Sequence, residues 1–125
     1  MFENDYIMRL IHEMVRAVLK LLLGKDTDVK DELVLPEVTE DNDFQVLILL
    51  VKQGKINEAQ NQLFDKLFGD SERYFKIALL FYDYLNDLDD EYLEASGYSR
   101  EEIAEGLKTV MEQNGYGGLA RTFLL

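Results

Sequence analysis

Several residue types that support common functions are absent or nearly absent from this 125-residue chain. It has no cysteine, which excludes disulfides and thiolate metal sites and is typical of proteins in a reducing cytosol. The single histidine, His12, has no second imidazole with which to bind zinc. The single proline, Pro36, and the scarcity of alternating β-branched residues favour helices. We therefore expect a cytoplasmic, all-α protein.

Basic residues are also scarce, and they are unevenly placed. Lys and Arg number 13 against 25 Asp and Glu, which gives a net charge of −12. Nucleic-acid binding is not expected, because phosphate contacts need a surplus of Lys and Arg. Residues 7–25 nevertheless hold Arg9, Arg16, Lys20 and Lys25 against Glu13 alone. A mildly basic helix on an acidic body indicates docking onto that body or onto a second subunit.

The N-terminal segment predicts a long first helix over roughly residues 5–23, with Asn4 or Asp5 as its cap and Gly24 at its end. Its charged residues project as one narrow stripe, and the apolar arc covers about 200°. A helix of this kind has to be buried on two sides. We therefore predict a protein partner, with self-association as a homodimer, and assign partner contacts to Arg9, Arg16 and Lys20.

An alternative for this helix is attachment to a membrane surface, because it combines a basic face with an apolar one. The charged residues interrupt the apolar run well before the ~20 residues that a membrane span requires. The apolar arc is also wider than interfacial binding needs, which favours a core helix or a dimer contact.

The remaining chain is predicted to complete a single domain, a bundle of five to six helices. Thr39 and Asn57 are the expected N-caps of two hairpin helices that turn at Gly54, and Ser99 with Glu102 forms a capping box for the last helix. The predicted parts are a loop over 24–38, the hairpin over 39–69, a central aromatic helix over about 72–88, and C-terminal helices with a docked tail over 89–125.

The run KQGKINEAQNQLFDKL resembles the middle of a tetratricopeptide (TPR) repeat, and the resemblance covers about residues 40–73. Gly54 falls at the turn of that family's hairpin, Glu58 and Ala59 open its second helix, and Leu63 and Leu67 occupy its large apolar positions. The fold expected is thus a bundle that contains one TPR-like hairpin.

The TPR resemblance also implies a concave groove that binds peptides or partner helices. The corresponding positions here are Phe44, Ile48, Val51 and Lys52, which we assign as partner-binding. Because these positions are mostly apolar, the protein's own first helix is the expected occupant of the groove.

The opening run DYIMRLIHEMVRAVLKLLLGK resembles the start of a family of short, acidic bacterial proteins of unknown function. The resemblance implies a bacterial cytoplasmic protein and implies no activity.

No catalytic constellation is visible in the sequence, so we expect no enzyme, no cofactor and no metal. The acidic run around Asp87–Glu94 lacks the Gly and Glu positions of a calcium loop. The leading hypothesis is a non-catalytic interaction or scaffold module. A further alternative is a small-ligand-binding bundle that uses Tyr74, Tyr82 and Tyr84 as polar handles.

Overall fold

The computed structural model describes residues 2–24, 35–67 and 71–124, and within these ranges the chain forms helices and no strand. The all-helical prediction is confirmed. The helices are α1 (Phe2–Leu23), α2 (Pro36–Thr39), α3 (Asn42–Lys52), α4 (Ile56–Leu67), α5 (Ser71–Asn86), α6 (Asp90–Ala95), α7 (Arg100–Gln113) and α8 (Gly117–Leu124).

These eight helices exceed the predicted five to six, because two short helices replace irregular segments. Pro36 starts α2, since its fixed φ suits the first turn of a helix. The C-terminal tail forms α8, which packs against α7 and α1. Most of the predicted loop over 24–38 lies outside the described residues.

Helix α5 is the centre of the bundle, as its aromatic sequence predicts. It packs against α1, α7, α4, α3 and α2. Its apolar side chains point in all directions, so the helix has to be enclosed. Its buried apolar residues are Tyr74, Phe75, Ile77, Ala78, Leu79, Leu80, Phe81, Tyr82 and Leu85.

Helix α1 lies along one side of this centre and packs against α5, α7 and α8. It begins at Phe2 rather than Asp5 and ends at Leu23, and the following Gly24 has a left-handed φ of +66°. Its buried residues recur at helical spacing and form one stripe. They are Ile11, Met14, Val15, Val18 and Leu19.

Helices α3 and α4 form the predicted hairpin around Gly54, but both predicted caps are wrong. Asp41 caps α3 by accepting a hydrogen bond from the Asp43 N–H at 2.9 Å. Thr39 instead ends α2, because that helix starts at the preceding proline. Asn57 lies inside α4 and donates its side-chain N–H to the Gly97 carbonyl at 3.2 Å.

The predicted cap of the last long helix is present at Ser99. Its hydroxyl oxygen accepts the Glu102 N–H at 3.2 Å. The Glu102 carboxylate in turn accepts from the Ser99 hydroxyl, also at 3.2 Å, whereas a complete capping box would bond the Ser99 backbone N–H.

Candidate functional site

An apolar ridge on α1 remains uncovered by the rest of the described chain. We use "α1 ridge" for Tyr6, Leu10, Ala17 and Leu21. Tyr6 is 61% exposed and Leu21 is 64% exposed, while the two residues between them are half-buried. At about 100° per residue the four side chains fall within one sector of about 60°, centred about 120° around the helix from the stripe that packs on the core. One side of α1 is therefore buried, and its second apolar side is open.

A stripe of charges runs along one flank of the α1 ridge. We use "α1 charge stripe" for Asp5, Arg9, Glu13, Arg16 and Lys20, whose signs run −, +, −, +, +. Arg16 is half-buried and the other four are exposed. The three predicted partner-binding residues of the first helix thus share one face beside the ridge. Together the ridge and the stripe make an amphipathic surface on the outside of the bundle.

His12 fixes α1 to the central helix. Its Nδ1 lies 2.9 Å from Asp83 Oδ1, and Arg16 Nε donates to His12 Nε2 at 2.9 Å. Since Nε2 accepts, the proton lies on Nδ1 and is donated to Asp83. Burial raises the pKa of the Asp83 carboxyl, and the hydrogen bond from His12 partly offsets that rise. With both ring nitrogens engaged, the arrangement is suited to holding α1 in place.

A second contact holds the N-terminal half of α1 against α5. Asn86, which is buried, donates its side-chain N–H to the Met8 carbonyl at 2.8 Å. Arg100 Nη1 donates to the Asn86 carbonyl at 2.6 Å, which links the same point to α7. Helix α1, which carries the α1 ridge, is therefore fixed to the core at this point.

The predicted groove residues of the hairpin are mostly internal. Phe44 and Val51 are buried, Ile48 is half-buried, and only Lys52 is exposed. The expectation that the first helix fills this groove is wrong, because α2, α4 and α5 pack against α3 and α1 is not among its close neighbours. Helix α5 is apolar all round and lies between the two. The Tyr92 hydroxyl also donates to the Val51 carbonyl.

The outer side of α3 presents a smaller apolar patch, which sequence reasoning did not single out. Val46 is 39% exposed and Leu49 is 56% exposed. No charged stripe of alternating sign accompanies this patch, since its exposed polar neighbours are Asn42, Gln45, Lys52 and Gln53.

The tyrosines proposed as ligand handles are largely occupied within the core. The hydroxyls of Tyr82 and Tyr98 both donate to Gln60 Oε1, at 2.9 and 2.5 Å. Tyr74 lies 3.5 Å from Gln113 Oε1, and burial raises its pKa to about 12. Tyr84 is half-buried. This cluster joins α4, α5 and α7. Tyr98 also lines the smaller of the two depressions described next, whereas Tyr74, Tyr82 and Tyr84 line neither.

Two open surface depressions are lined largely by charges that already have partners. The larger, about 370 Å³, lies between α2 and α5. On its wall Arg73 donates to both carboxylate oxygens of Asp41 at 2.9 Å, which holds the Asp41 pKa below its usual range. Lys76 pairs there with Glu37 and Glu72 at 3.6 and 3.4 Å. The smaller, about 250 Å³, includes Arg100 paired with Asp90 at 2.7 Å.

Comparison with known families identifies the relatives of this chain. The model of a family of unknown function, DUF6483, matches residues 1–115. The chain belongs to this family. The resemblance of the N-terminal run to a family of unknown function is thereby confirmed. No curated protein and no solved structure matches the chain, so the TPR likeness at about 40–73 stays a prediction.

Two other kinds of site in this DUF6483 member would be a metal centre and a membrane-spanning helix. Within residues 2–24, 35–67 and 71–124, no group of three or more His, Cys, Asp or Glu side chains is placed to hold a metal ion. No helix in the same ranges is long and apolar enough to cross a membrane. Sequence reasoning predicted a second apolar side of α1 but did not assign the α1 ridge residues that form it. The signal for that side was the apolar arc itself, which is wider than one packing face requires.

Proposed function

We propose that this DUF6483 protein is a non-catalytic helical interaction module that self-associates through the α1 ridge. The observation that carries the proposal is the exposure of Tyr6 and Leu21 at 61% and 64% on a helix whose other side is fully packed. Exposed apolar side chains that align on one element mark interaction sites more often than scattered ones do.

The α1 ridge supports this role better than the patch on α3. Tyr6 and Leu21 lie 15 positions apart, so the ridge spans about 22 Å of continuous helix. The hydrogen bonds from His12 to Asp83 and from Asn86 to Met8 hold that helix on the core. A rigid, extended surface loses little conformational freedom on binding, which favours affinity.

The non-catalytic part of the proposal is supported by the hydrogen bonds that the polar side chains already make within the protein. The only histidine has both ring nitrogens in hydrogen bonds, so it is not poised to accept a proton from a substrate. The hydroxyls of Tyr82 and Tyr98 are buried in a bond to Gln60, and burial raises the pKa of both phenols. The absence of cysteine fits a cytoplasmic setting, which we include in the proposal.

Sedimentation velocity of two matched variants tests the proposal. Leu21 on α1 and Leu49 on α3 are similarly exposed, at 64% and 56%. We expect the unmodified chain and Leu49→Glu to sediment as dimers, and Leu21→Glu to sediment at the 14.5 kDa mass of one chain. Circular dichroism of both variants checks that the fold is retained. A monomeric unmodified chain, or a dimer that Leu21→Glu leaves intact, would contradict self-association through α1.

Attachment to a membrane surface is the second candidate, because the α1 ridge is flanked by the exposed Arg9 and Lys20. Flotation with vesicles of anionic lipid separates it from self-association. A chain that is monomeric in solution and floats with these vesicles, and that Arg9→Glu releases, would replace the dimer proposal with this one.

A further inference from the structure

The residues of the α1 ridge are spaced symmetrically about the midpoint of the ridge. Its residues stand at intervals of 4, 7 and 4 positions, which read the same in either direction along the helix. In a symmetric dimer the same patch serves both subunits, so residue i meets residue j while j meets i. An antiparallel pair of α1 helices centred between Glu13 and Met14 places Tyr6 opposite the partner's Leu21 and Leu10 opposite the partner's Ala17.

We propose that the occupant of the α1 ridge is a second copy of this chain, paired antiparallel about that midpoint. The inference rests on the proposed self-association and adds its orientation and register. In this register Leu10 faces the small Ala17 of the partner, and Tyr6 faces the partner's Leu21. A parallel pair would set Ala17 against its own copy and leave a gap between two larger pairs.

The α1 charge stripe favours the same orientation. In the antiparallel register, Glu13 lies two positions, about 3 Å along the axis, from the partner's Arg16. Lys20 lies at the same offset from the partner's Asp5. Both pairs stand on one flank of the ridge. A parallel pair would instead place the two stripes on opposite flanks of the contact, because its two-fold axis runs along the helices, so neither of these opposite-charge pairs would form.

Arg9 is the one residue of the α1 charge stripe that would meet only like charges in the antiparallel pair, and this allows a test of the orientation. In the antiparallel register it lies between the partner's Arg16 and Lys20, two positions from each. Reversing its charge should therefore tighten the dimer, and we expect Arg9→Glu to lower the dissociation constant by about threefold to tenfold at surface-pair energies. In a parallel dimer the two stripes lie on opposite flanks, so the same change should leave the dissociation constant nearly unchanged. An anionic membrane would bind the variant more weakly.

Cysteine cross-linking tests the register directly, since the chain has no cysteine of its own. Tyr6→Cys and Leu21→Cys are prepared singly and treated with a short bismaleimide, alone and as a mixture of two tagged chains. The antiparallel register predicts cross-linked dimer only in the mixture, because identical cysteines would lie about 22 Å apart. A parallel register predicts the reverse, with each variant cross-linking alone and no cross-linked dimer in the mixture that joins the two different tags.

Glu13→Cys separates failure of the register from failure of self-association. Position 13 lies next to its own copy in either orientation, so this variant should cross-link whenever the α1 ridges meet. Cross-linking at position 13 with the parallel pattern at positions 6 and 21 would overturn the antiparallel register and leave the proposed function standing. No cross-linking at position 13, with a monomer in sedimentation, would overturn both.

Discussion

The Nδ1 atom of His12 lies 2.9 Å from Oδ1 of Asp83, and this bond joins α1 to the central helix α5. Asp83 is 7% exposed, so its carboxylate depends on protein partners for the hydrogen bonds that water would otherwise supply. The same histidine accepts from Arg16 of the α1 charge stripe. The bond therefore links the packing of α1 to the surface through which we propose that it pairs.

Removing this histidine should destabilise the fold. We expect His12→Ala to lower the free energy of unfolding by about 1–3 kcal/mol, because a buried carboxylate loses a hydrogen bond. Urea denaturation at neutral pH measures this loss. The control Glu13→Ala, one position along on the exposed face, should change stability by no more than about 0.5 kcal/mol. Equal effects of the two variants would show that the bond to Asp83 contributes little.

The His12→Ala variant should also change the pKa of the Asp83 carboxyl. Burial already raises the Asp83 pKa above its ordinary 3.8, and the hydrogen bond from His12 opposes that rise. We expect His12→Ala to raise this pKa further, which carboxyl-carbon NMR would measure. The pKa of Asp83 is higher in the folded state than in the unfolded state. Its contribution to the free energy of unfolding is therefore complete below pH 3.8 and is lost as the pH rises through the folded-state pKa. A lower Asp83 pKa in the variant would contradict this account.

The ion pair between Asp41 and Arg73 predicts the opposite dependence on pH. Asp41→Asn keeps an N-cap for α3 but removes the charge, so we expect a loss of about 1 kcal/mol at neutral pH, less at high salt. Arg73 holds the Asp41 pKa below 3.8, so the contribution is present above that pH and is lost as pH falls through the folded value.

Asp41→Ala separates the cap from the ion pair. It should cost about 1 kcal/mol more than Asp41→Asn, since alanine cannot accept the Asp43 N–H. Chemical denaturation at neutral and acid pH gives both comparisons. A loss for Asp41→Asn that is as large in acid as at neutral pH would show that charge is not its cause.

Much of the fold follows from local signals in the sequence. Gly24 and Gly54 adopt positive φ at the helix ends where their positions predict it. Helical spacing also indicates α5 as the central element, because its aromatic and aliphatic residues cover every side. The N-cap of α3 was misplaced at Thr39 because Asp41, two residues on, is an equally good cap. Only the exact start of the helix decides between them.

The pairing of helices could not be predicted in the same way. Both α1 and α5 are apolar over more than one face, so periodicity alone permits either to lie against Phe44 and Val51. The choice depends on long-range contacts such as the hydrogen bond from Asn86 to the Met8 carbonyl. The candidate surface was predicted through its charges, Arg9, Arg16 and Lys20. Its apolar part was not, since only packing shows which side of α1 the core leaves uncovered.

At Gly106 the helices α5 and α7 lie too close together to accommodate an added Cβ atom. A Cβ at this position would lie 2.5 Å from Cζ and 2.7 Å from Cε1 of Tyr82, which is fully buried. We expect Gly106→Ala to lower the free energy of unfolding by about 1–3 kcal/mol through overpacking. Thermal or urea denaturation provides the measurement.

Gly118 is the matched control, because it is also helical and a Cβ there meets only Arg121 Nη2 at 4.0 Å. Gly118→Ala should raise stability by up to about 1 kcal/mol through helix propensity. Tyr82→Leu should make the Gly106 substitution less costly, because it removes the clashing ring. A Gly106→Ala protein as stable as the unmodified chain would show that the two helices separate easily.

The central claim is that two copies of α1 meet along the α1 ridge, and an NMR contact tests it most directly. Tyr6 and Leu21 lie about 22 Å apart within one helix, which is too far for a nuclear Overhauser effect. Any such effect between the Tyr6 ring and the Leu21 methyl groups must therefore join two chains. We predict this cross-peak at concentrations where the dimer forms and its loss on dilution. A concentrated sample that shows a dimer in sedimentation, with intermolecular contacts at Val46 and Leu49 and none at Tyr6 or Leu21, would contradict the account.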